Sequence, residues 1–271
     1  MDETDERHRA LSALFLVVFL WGVNTISIKY LTDFFPPLAL APVRLSLAAV
    51  FLLLIAYCRH GWHKVDRRAW RSIAGIAVLS IFLHQIALTY GIKATSATHS
   101  VIILGSSPLC TILLANVLFK EAFTLEKCMG IALGMGGLAA VICGKAQGAA
   151  TLYGDLLVFV AMVTFVCGCF FVKQATITVP PLVVTAYSHG LGAAGLMLLG
   201  LIVNPVWTYS PDSLGINTLA VLLFSSFIST AIGAVLWNMG YKKLAQRPHP
   251  CFRMHHLSSA YLPRHSFLAN N

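Results

Sequence analysis

Charged residues are scarce in this chain of 271 residues, at 11% of the total, whereas hydrophobic residues make up 58%. Soluble domains carry about 25% charged residues, so the deficit argues against an ordinary soluble domain. With a mean hydropathy of +0.78, the composition predicts a polytopic membrane protein. The formal net charge of +9 does not indicate nucleic-acid binding. The basic residues cluster in short loops, where they set orientation in a membrane.

Carboxylates are rarer still, and none lies deep within an apolar run. The ten Asp and Glu residues fall in the tails, the loops or the ends of the runs, so we expect no Asp or Glu proton relay inside the membrane. The chain also lacks the G-x-x-x-x-G-K-[ST] loop that binds ATP and the H-E-x-x-H motif of zinc hydrolases. Its seven cysteines have no metal-ligand spacing. The sequence therefore predicts no enzyme, no metal site and no cofactor.

Eight apolar runs are each long enough to cross the hydrocarbon core, which takes about 20 helical residues. The runs are continuous rather than alternating, and an open sheet edge cannot face lipid, so helices are expected throughout. We predict an all-α, polytopic membrane helix bundle and refer to the runs as spans 1 to 8. They cover residues 10–31, 38–58, 71–92, 97–119, 126–145, 152–173, 181–203 and 217–241.

Lysine and arginine residues outside the spans fall almost entirely on one side of the membrane. With the N-terminus in the cytoplasm, the opposite side holds only Lys93 and Lys145, whereas the segment 59–71 alone has five basic residues on the cytoplasmic side. Because cytoplasmic loops are enriched in Lys and Arg, we predict a cytoplasmic N-terminus. Spans 1, 3, 5 and 7 then end on the outer side.

The two halves of the chain align when the sequence is shifted by 144 residues, with five extra residues late in the second copy. The first copy contains five spans, and this odd number predicts inverted repeats, because the second copy must enter from the other side. The second copy has only three spans, so the last two helices of a ten-helix pattern are missing. Matched positions are Trp21 with Phe165, Lys29 with Lys173, Pro36-Pro37 with Pro180-Pro181, Ser80 with Ser229 and Gly91 with Gly240.

The repeat divides the chain into four predicted segments: a cytoplasmic tail at 1–9, a first repeat at 10–145, an incomplete second repeat at 146–243 and a polar tail at 244–271. The polar tail contains prolines and has no hydrophobic periodicity, so it is expected to be disordered. It stands where two further helices are expected. We interpret it as the product of a shifted reading frame after about Ala245.

A series of short motifs runs through the first repeat: the W-G-x-N stretch at 21–24, Lys29, Pro36-Pro37, Arg44, the "YGIKATSA" turn, Ser107-Pro108 and the closing "LFKE". Together they resemble the EamA-type domain of the drug/metabolite transporter superfamily. The resemblance is good over about residues 14–145, and a more diverged copy covers about residues 152–243.

This resemblance implies a ten-helix carrier of the inner or plasma membrane that exports or exchanges small metabolites, often amino acids or related compounds. The implied partners are a small-molecule solute and the lipid bilayer, with no nucleic acid. The missing helices leave an alternative, a C-terminally truncated remnant that inserts without transporting. Homodimerisation through the faces left exposed is the route by which such a chain could still function.

Polar residues within the spans are the candidates for a solute site, because polar groups in lipid are costly and mark solute pathways. His84 and Gln85 lie near the middle of span 3, and histidine titrates near physiological pH. Arg44 in span 2 has forked donors suited to a carboxylate. His99 in span 4 and His189 in span 7 are further histidines of this kind. Interhelical hydrogen bonding, or snorkelling for Arg44, remains the alternative for these residues.

Two further pairs complete the predicted binding site. Trp21 and Asn24 are three residues apart and share a face of span 1. Trp237 and Asn238 in span 8 offer an aromatic wall and an amide, although a tryptophan at such a position is also typical of packing or of an interfacial anchor.

Five residues are candidates for structural or gating roles: Lys29, Ser107, Pro108, Gly130 and Gly134. Lys29 lies near the outer end of span 1, where it could also snorkel to the interface. Pro108 follows Ser107 and frees a backbone carbonyl about four residues back, and such a kink can open a cavity. Gly130 and Gly134 give span 5 a thin face for close helix packing.

Overall fold

The computed structural model of the chain describes residues 3–119, 125–143, 150–203 and 215–245, and these residues form helices joined by turns without any strand. The all-α fold expected from the sequence is confirmed. Spans 1 to 3 are the helices Glu3–Leu31, Pro37–His60 and Arg67–Ala94, and span 4 consists of Ala97–Gly105 and Ser107–Phe119. Spans 5 to 7 are Leu125–Cys143, Leu152–Ala175 and Pro181–Ile202, and span 8 consists of Ile216–Leu223, Phe224–Ile232 and Gly233–Ala245.

Seven of the described helices are long and apolar enough to cross a membrane. Span 5 is the remaining one, with a shorter apolar stretch at Cys128–Ala140. Large apolar side chains cover the outer surface of the bundle, and Phe15 and Phe19, for example, are 79% and 62% exposed. Such a surface is compatible with contact to lipid tails, which are as apolar as these side chains. The chain is a multi-pass membrane protein.

The ends of the spans follow from local sequence. Pro37 and Pro181 begin spans 2 and 7, at the first helical position, where a missing N–H costs nothing. Asp66, Ser96 and Thr151 cap spans 3, 4 and 6 with side-chain oxygens that accept hydrogen bonds from backbone N–H groups of the first turn. These caps satisfy N–H groups that have no partner within the helix.

The main helix contacts join spans of one predicted copy to spans of the other. Span 2 packs along its counterpart, span 7, while span 3 packs on span 6 and span 1 packs on span 8. Equivalent glycines lie at two of these contacts, Gly91 where span 3 packs on span 6 and Gly240 where span 8 packs on span 1. A Cβ on Gly91 would lie 2.8 Å from the Val158 backbone nitrogen, and one on Gly240 would lie 2.8 Å from the Leu14 side chain. Leu14 and Val158 are themselves 144 residues apart, so the two contacts are counterparts.

Both copies also contain a π-helical section at the equivalent place, Ala77–Leu83 in span 3 and Phe224–Ile232 in span 8. π-Helical turns are rare and often occur at functional sites. Ser80 donates a hydrogen bond to the Phe165 carbonyl oxygen (3.2 Å), and its counterpart Ser229 donates one to the Leu20 carbonyl oxygen (3.3 Å). The two π-helical sections therefore hold span 3 to span 6 and span 8 to span 1 in the same way.

Span 4 is interrupted at Ser106, directly before the predicted Ser107-Pro108 kink. The Ser106 N–H bonds the carbonyl oxygens of Ile102 and Ile103, and its hydroxyl donates to the Ile103 oxygen at 2.6 Å. Proline cannot donate a backbone bond to the preceding turn, which accounts for a break at this point.

The two candidate glycines of span 5 differ in their surroundings. A Cβ on Gly134 would meet the side chain of Leu109 in span 4, whereas one on Gly130 would meet no atom within 4 Å. Only Gly134 thus lies at a close helix contact. The polar tail from residue 246 onward lies outside the described residues, and the segment boundaries remain predictions.

Candidate functional site

Arg44 is the most deeply buried cation of the described bundle, with 0% of its surface exposed. Its Nη1 donates to Ser225 Oγ and to Thr230 Oγ1, both at 3.2 Å, and its Nη2 donates to Gln85 Oε1 at 2.6 Å. Arg44 therefore does not snorkel to an interface. It lies inside the bundle and is held by spans 3 and 8.

Asn24 joins this group from span 1, because Ser225 Oγ donates to Asn24 Oδ1 at 2.5 Å. Four spans thus meet in one hydrogen-bonded set, the Arg44 cluster, which consists of Asn24, Arg44, Gln85, Ser225 and Thr230. The π-helical section of span 8 aligns Ser225 and Thr230, which are five residues apart, and Thr230 Oγ1 donates to the Ser225 carbonyl oxygen at 2.7 Å. Three of the predicted candidates, Asn24, Arg44 and Gln85, are brought together here.

The charge of Arg44 has no carboxylate partner among the residues the structure describes. The single ion pair within the described ranges joins His99 to Asp155, and the Arg44 Nε has no hydrogen-bond partner. A buried charge without a counter-charge is costly, by several kcal/mol in typical cases. Arg44 is therefore a buried cation whose hydrogen-bond partners among the described residues are all neutral.

An aromatic cluster adjoins the Arg44 cluster. The rings of Trp21, Phe165 and Trp237 lie mutually close, with centroid distances of 5.4 Å, 5.1 Å and 5.8 Å. Trp21 Nε1 also donates to the Ser229 carbonyl oxygen at 3.2 Å, which fixes its ring against span 8. Trp21 and Phe165 are counterparts in the two copies, so the aromatic cluster lies where the repeats meet.

His84 borders the aromatic cluster and does not belong to the Arg44 cluster. Its Nδ1 donates to the Ala161 carbonyl oxygen at 2.8 Å, and its ring lies 5.4 Å from that of Phe165. The interhelical bond predicted as the alternative for His84 is therefore present, between spans 3 and 6.

Asn238 lies apart from its predicted partners. Its Nδ2 donates to Thr185 Oγ1 in span 7 at 2.7 Å. His189 donates to the Thr185 carbonyl oxygen of its own helix at 2.9 Å. The structure thus brings Trp237, but not Asn238, to the other candidates.

Lys29 binds the backbone carbonyl oxygens at the end of span 3. Its Nζ donates to the carbonyl oxygens of Ile92, Lys93 and Thr95 at 3.0 Å, 3.0 Å and 2.7 Å. The last carbonyls of a helix lack partners within the helix and carry partial negative charge, so an ammonium group there is favourable. Lys29 is a structural link between spans 1 and 3.

Asp155 lies at the end of a span, as expected, but it is buried, which was not anticipated from the sequence. Asp155 lies in the first turn of span 6 and is only 1% exposed, because the turn between spans 3 and 4 covers it. It accepts hydrogen bonds from Thr95 Oγ1 at 2.5 Å and from His99 Nδ1 at 2.9 Å. Its position at the end of a span suggested contact with water. The ends of spans 3 and 6 pack closely together, however, and this packing shields Asp155 from water.

Sequence reasoning also missed Ser225 and Thr230. The signal available was the hydroxyl-rich stretch "FSSFIST" of span 8, in the copy opposite to Arg44. Metal binding has no support within the described ranges, where no three His, Cys, Asp or Glu side chains are grouped closely enough to hold an ion.

Comparison with known proteins identifies the family of the chain. The model of the EamA-like transporter family matches residues 8–143. The uncharacterized transporter YyaM of Bacillus subtilis is 30% identical over 226 residues, which cover 80% of this chain and 72% of that protein. An S-adenosylmethionine/S-adenosylhomocysteine transporter of Chlamydia trachomatis is 25% identical over 126 residues, 46% of this chain and 38% of that protein.

A solved crystal structure shares the fold, with a TM-score of 0.62 at 19% identity over 86% of this chain and 79% of the other. The resemblance seen in the motifs of the first repeat is thus confirmed by a match to half of the chain and by a relative aligned over most of its length. The chain belongs to the EamA-like transporter family and is a membrane transporter.

Proposed function

We propose that this chain is a secondary transporter of small organic metabolites that carry a carboxylate, such as amino acids or related compounds. The observation that carries the proposal is Arg44, which is fully buried and whose described partners are all neutral. A carboxylate bound at this guanidinium supplies the missing counter-charge. The site therefore favours a solute that brings its own negative charge.

The unused donors of Arg44 support the same conclusion. A guanidinium has five N–H groups, and the three bonds to Ser225, Thr230 and Gln85 use three of them. The two left over are the Nε–H group, which has no partner among the described residues, and one N–H group of Nη2. Nε and Nη2 are neighbouring nitrogens of the guanidinium, and we assign to them the two oxygens of the carboxylate, the bidentate geometry that makes arginine–carboxylate bonds strong.

The aromatic cluster supports an organic solute rather than an inorganic anion. Trp21 lies one turn from Asn24 on span 1, and His84 precedes Gln85 on span 3, so aromatic surface adjoins the Arg44 cluster. Solute sites commonly combine apolar and aromatic walls with a few polar groups that fix orientation. We assign the carboxylate to Arg44 and the apolar part of the solute to the rings.

The name of the Chlamydia relative is compatible with this class of solute, since both compounds in it contain an α-amino acid group with a carboxylate. The proposal includes export or exchange across the plasma membrane, with the N-terminus in the cytoplasm. The distribution of Lys and Arg supports that orientation.

The test is counterflow in proteoliposomes that contain the purified full chain. The probes are labelled L-methionine and S-adenosylmethionine, with 3-methylthiopropylamine as the counterpart of methionine that lacks the carboxylate. We expect counterflow of at least one carboxylate solute and none of the amine. Arg44→Gln and Arg44→Lys should each lower the rate at least tenfold, because lysine keeps the charge but not the paired donors. Arg68→Gln, at an exposed arginine in the first turn of span 3, is the matched control and should leave the rate unchanged.

Size-exclusion chromatography in detergent shows whether each variant remains folded. Transport by folded Arg44→Gln at the control rate, or equal transport of the amine, would contradict the assignment of Arg44. Absence of counterflow for every carboxylate solute would favour the alternative, a chain that inserts without transporting.

A further inference from the structure

The buried Asp155 forms part of a polar cluster at the predicted outer end of the bundle. Asp155 Oδ1 accepts from Thr95 Oγ1 at 2.5 Å, and its Oδ2 lies 2.9 Å from His99 Nδ1. The side chain of His99 is 12% exposed and that of Asp155 only 2%. Within the described ranges, His99 is therefore the group through which this carboxylate is connected to solvent.

Packing of spans 3 and 6 does not depend on this ion pair. Gly154 approaches the Ala94 backbone so closely that an added Cβ would lie 2.6 Å from the Ala94 carbonyl carbon, and Thr151 Oγ1 donates to the Ala94 oxygen at 2.7 Å. The first copy shows the same helix contact without a carboxylate, because the counterpart of Asp155 is Leu11, which is 44% exposed. The ion pair is thus an addition to the repeat, not a requirement of its packing.

We propose that His99 and Asp155 together form the proton-binding site that couples solute movement to a proton gradient. This proposal rests on the function proposed above and adds the coupling ion. His99 Nδ1–H donates to the Asp155 carboxylate, and a proton from water on the predicted outer side binds at the other ring nitrogen, Nε2. No other bond forms or breaks. The pair changes from a net charge of −1 to 0, and release of the same proton restores it.

Within the described residues, Lys29 of span 1 is linked to the pair through Thr95, since its Nζ donates to the Thr95 carbonyl oxygen at 2.7 Å. Other charged or titratable groups on the neighbouring spans and turns are Lys93 at the end of span 3, Asp33 in the turn after span 1, Tyr90 in span 3 and Tyr153 in span 6.

Lys29 also provides the connection to the Arg44 cluster. It lies five residues after Asn24 on span 1, a rise of about 7.5 Å along the helix. It is thus held by the turn next to Asp155 on one side and shares a rigid helix with a member of the Arg44 cluster on the other. Protonation of the pair changes the charge at the turn that Lys29 contacts, and the hydrogen bond from Lys29 to the Thr95 carbonyl oxygen connects that turn to span 1.

The experiment uses proteoliposomes that contain the full chain, an internal pH-sensitive dye and a solute transported in the counterflow assay. A gradient of one pH unit should accumulate this solute up to about tenfold for one proton per solute, with matching proton flux. His99→Asn keeps an amide donor where Nδ1 lies but cannot take up a proton. We expect this variant and Asp155→Asn to equilibrate the solute without accumulation or proton flux. His60→Asn, at an exposed histidine at the end of span 2, should behave like the original chain.

The possible outcomes distinguish failure of the coupling site from failure of the proposed transport function. Accumulation and proton flux by folded His99→Asn at the level of the original chain would overturn the coupling site, as would solute flux without any proton flux in the original chain. In both cases the proposed function stands, because solute still moves. Absence of counterflow for every carboxylate solute in the first assay would overturn both proposals. If Asp155→Asn fails to fold, the His99→Asn variant decides the test, since the amide of the new asparagine still donates to the Asp155 carboxylate.

Discussion

Gln85 makes the shortest of the described hydrogen bonds to the Arg44 side chain, because its Oε1 accepts from Nη2 at 2.6 Å. Gln85→Glu keeps the shape of the side chain and places a carboxylate at that oxygen. The bundle then contains its own counter-charge, so the free energy of the empty site falls while the attraction for a solute carboxylate is cancelled. We expect an unchanged or higher unfolding temperature together with at least a tenfold loss of transport, measured by thermal melting and counterflow.

Gln174→Glu is the matched control, because Gln174 is exposed and its Oε1 accepts from the neutral Ser72 Oγ at 3.3 Å. It should leave both measurements close to those of the original chain. A Gln85→Glu protein that transports normally would show that Arg44 does not bind a solute anion, whatever its effect on stability.

At this scale the sequence predicted part of the site. Arg44, Gln85 and Asn24 stand out because an ionisable or amide group within an apolar run is costly unless it has a partner. Ser225 and Thr230 do not stand out, since hydroxyls are tolerated in helices by bonding to their own backbone, as Ser226 does with the Leu222 oxygen. Which hydroxyls turn toward Arg44 depends on the π-helical section of span 8, and no sequence pattern used above predicts it.

At the scale of helices, the contact between spans 3 and 6 depends on glycine. A Cβ on Gly154 would lie 2.6 Å from the Ala94 carbonyl carbon and 2.7 Å from the Thr95 nitrogen, and backbone atoms cannot move aside as a flexible side chain can. Gly154→Ala should therefore destabilise the protein by about 1–3 kcal/mol, the usual cost of overpacking. Thermal or denaturant unfolding in one detergent measures the difference.

The matched control is Gly136→Ala in span 5, where an added Cβ would meet no atom within 4 Å. Alanine is favoured over glycine in a helix by about 0.8–1 kcal/mol, so this variant should be unchanged or slightly more stable. Opposite signs for the two variants would establish the close contact. Equal effects would show that helix propensity, rather than the contact of spans 3 and 6, decides the result.

Helix positions were predictable from hydrophobic runs, and the break in span 4 from Pro108, because both depend on local chemistry. The burial of Asp155 was not, because it depends on two turns distant in sequence, at Thr95 and Thr151, that meet at one end of the bundle. Position along a helix indicates depth in the membrane. It does not indicate what packs against that position.

At the scale of the whole molecule, the inverted repeat makes a prediction about two residues that occupy the same place in each copy. Asp33, after span 1, and Ile177, after span 6, are 144 residues apart, and both are exposed. If the copies are inverted, these counterparts lie on opposite sides of the membrane. Parallel copies would place them on the same side. The pair is therefore a test of the architecture that does not require a known solute.

The measurement is labelling of single cysteines by a membrane-impermeant maleimide, in a background without the seven native cysteines. In intact cells we expect label on Asp33→Cys and none on Ile177→Cys, which should react only after the membrane is opened. Trp62→Cys, 84% exposed between spans 2 and 3, is the control for the cytoplasmic side and should follow Ile177→Cys. If Asp33→Cys and Ile177→Cys are both labelled from the same side of the membrane, the inverted repeat is contradicted. A reversed pattern would keep the repeat and place the N-terminus outside, and it would also place the His99–Asp155 pair on the cytoplasmic side.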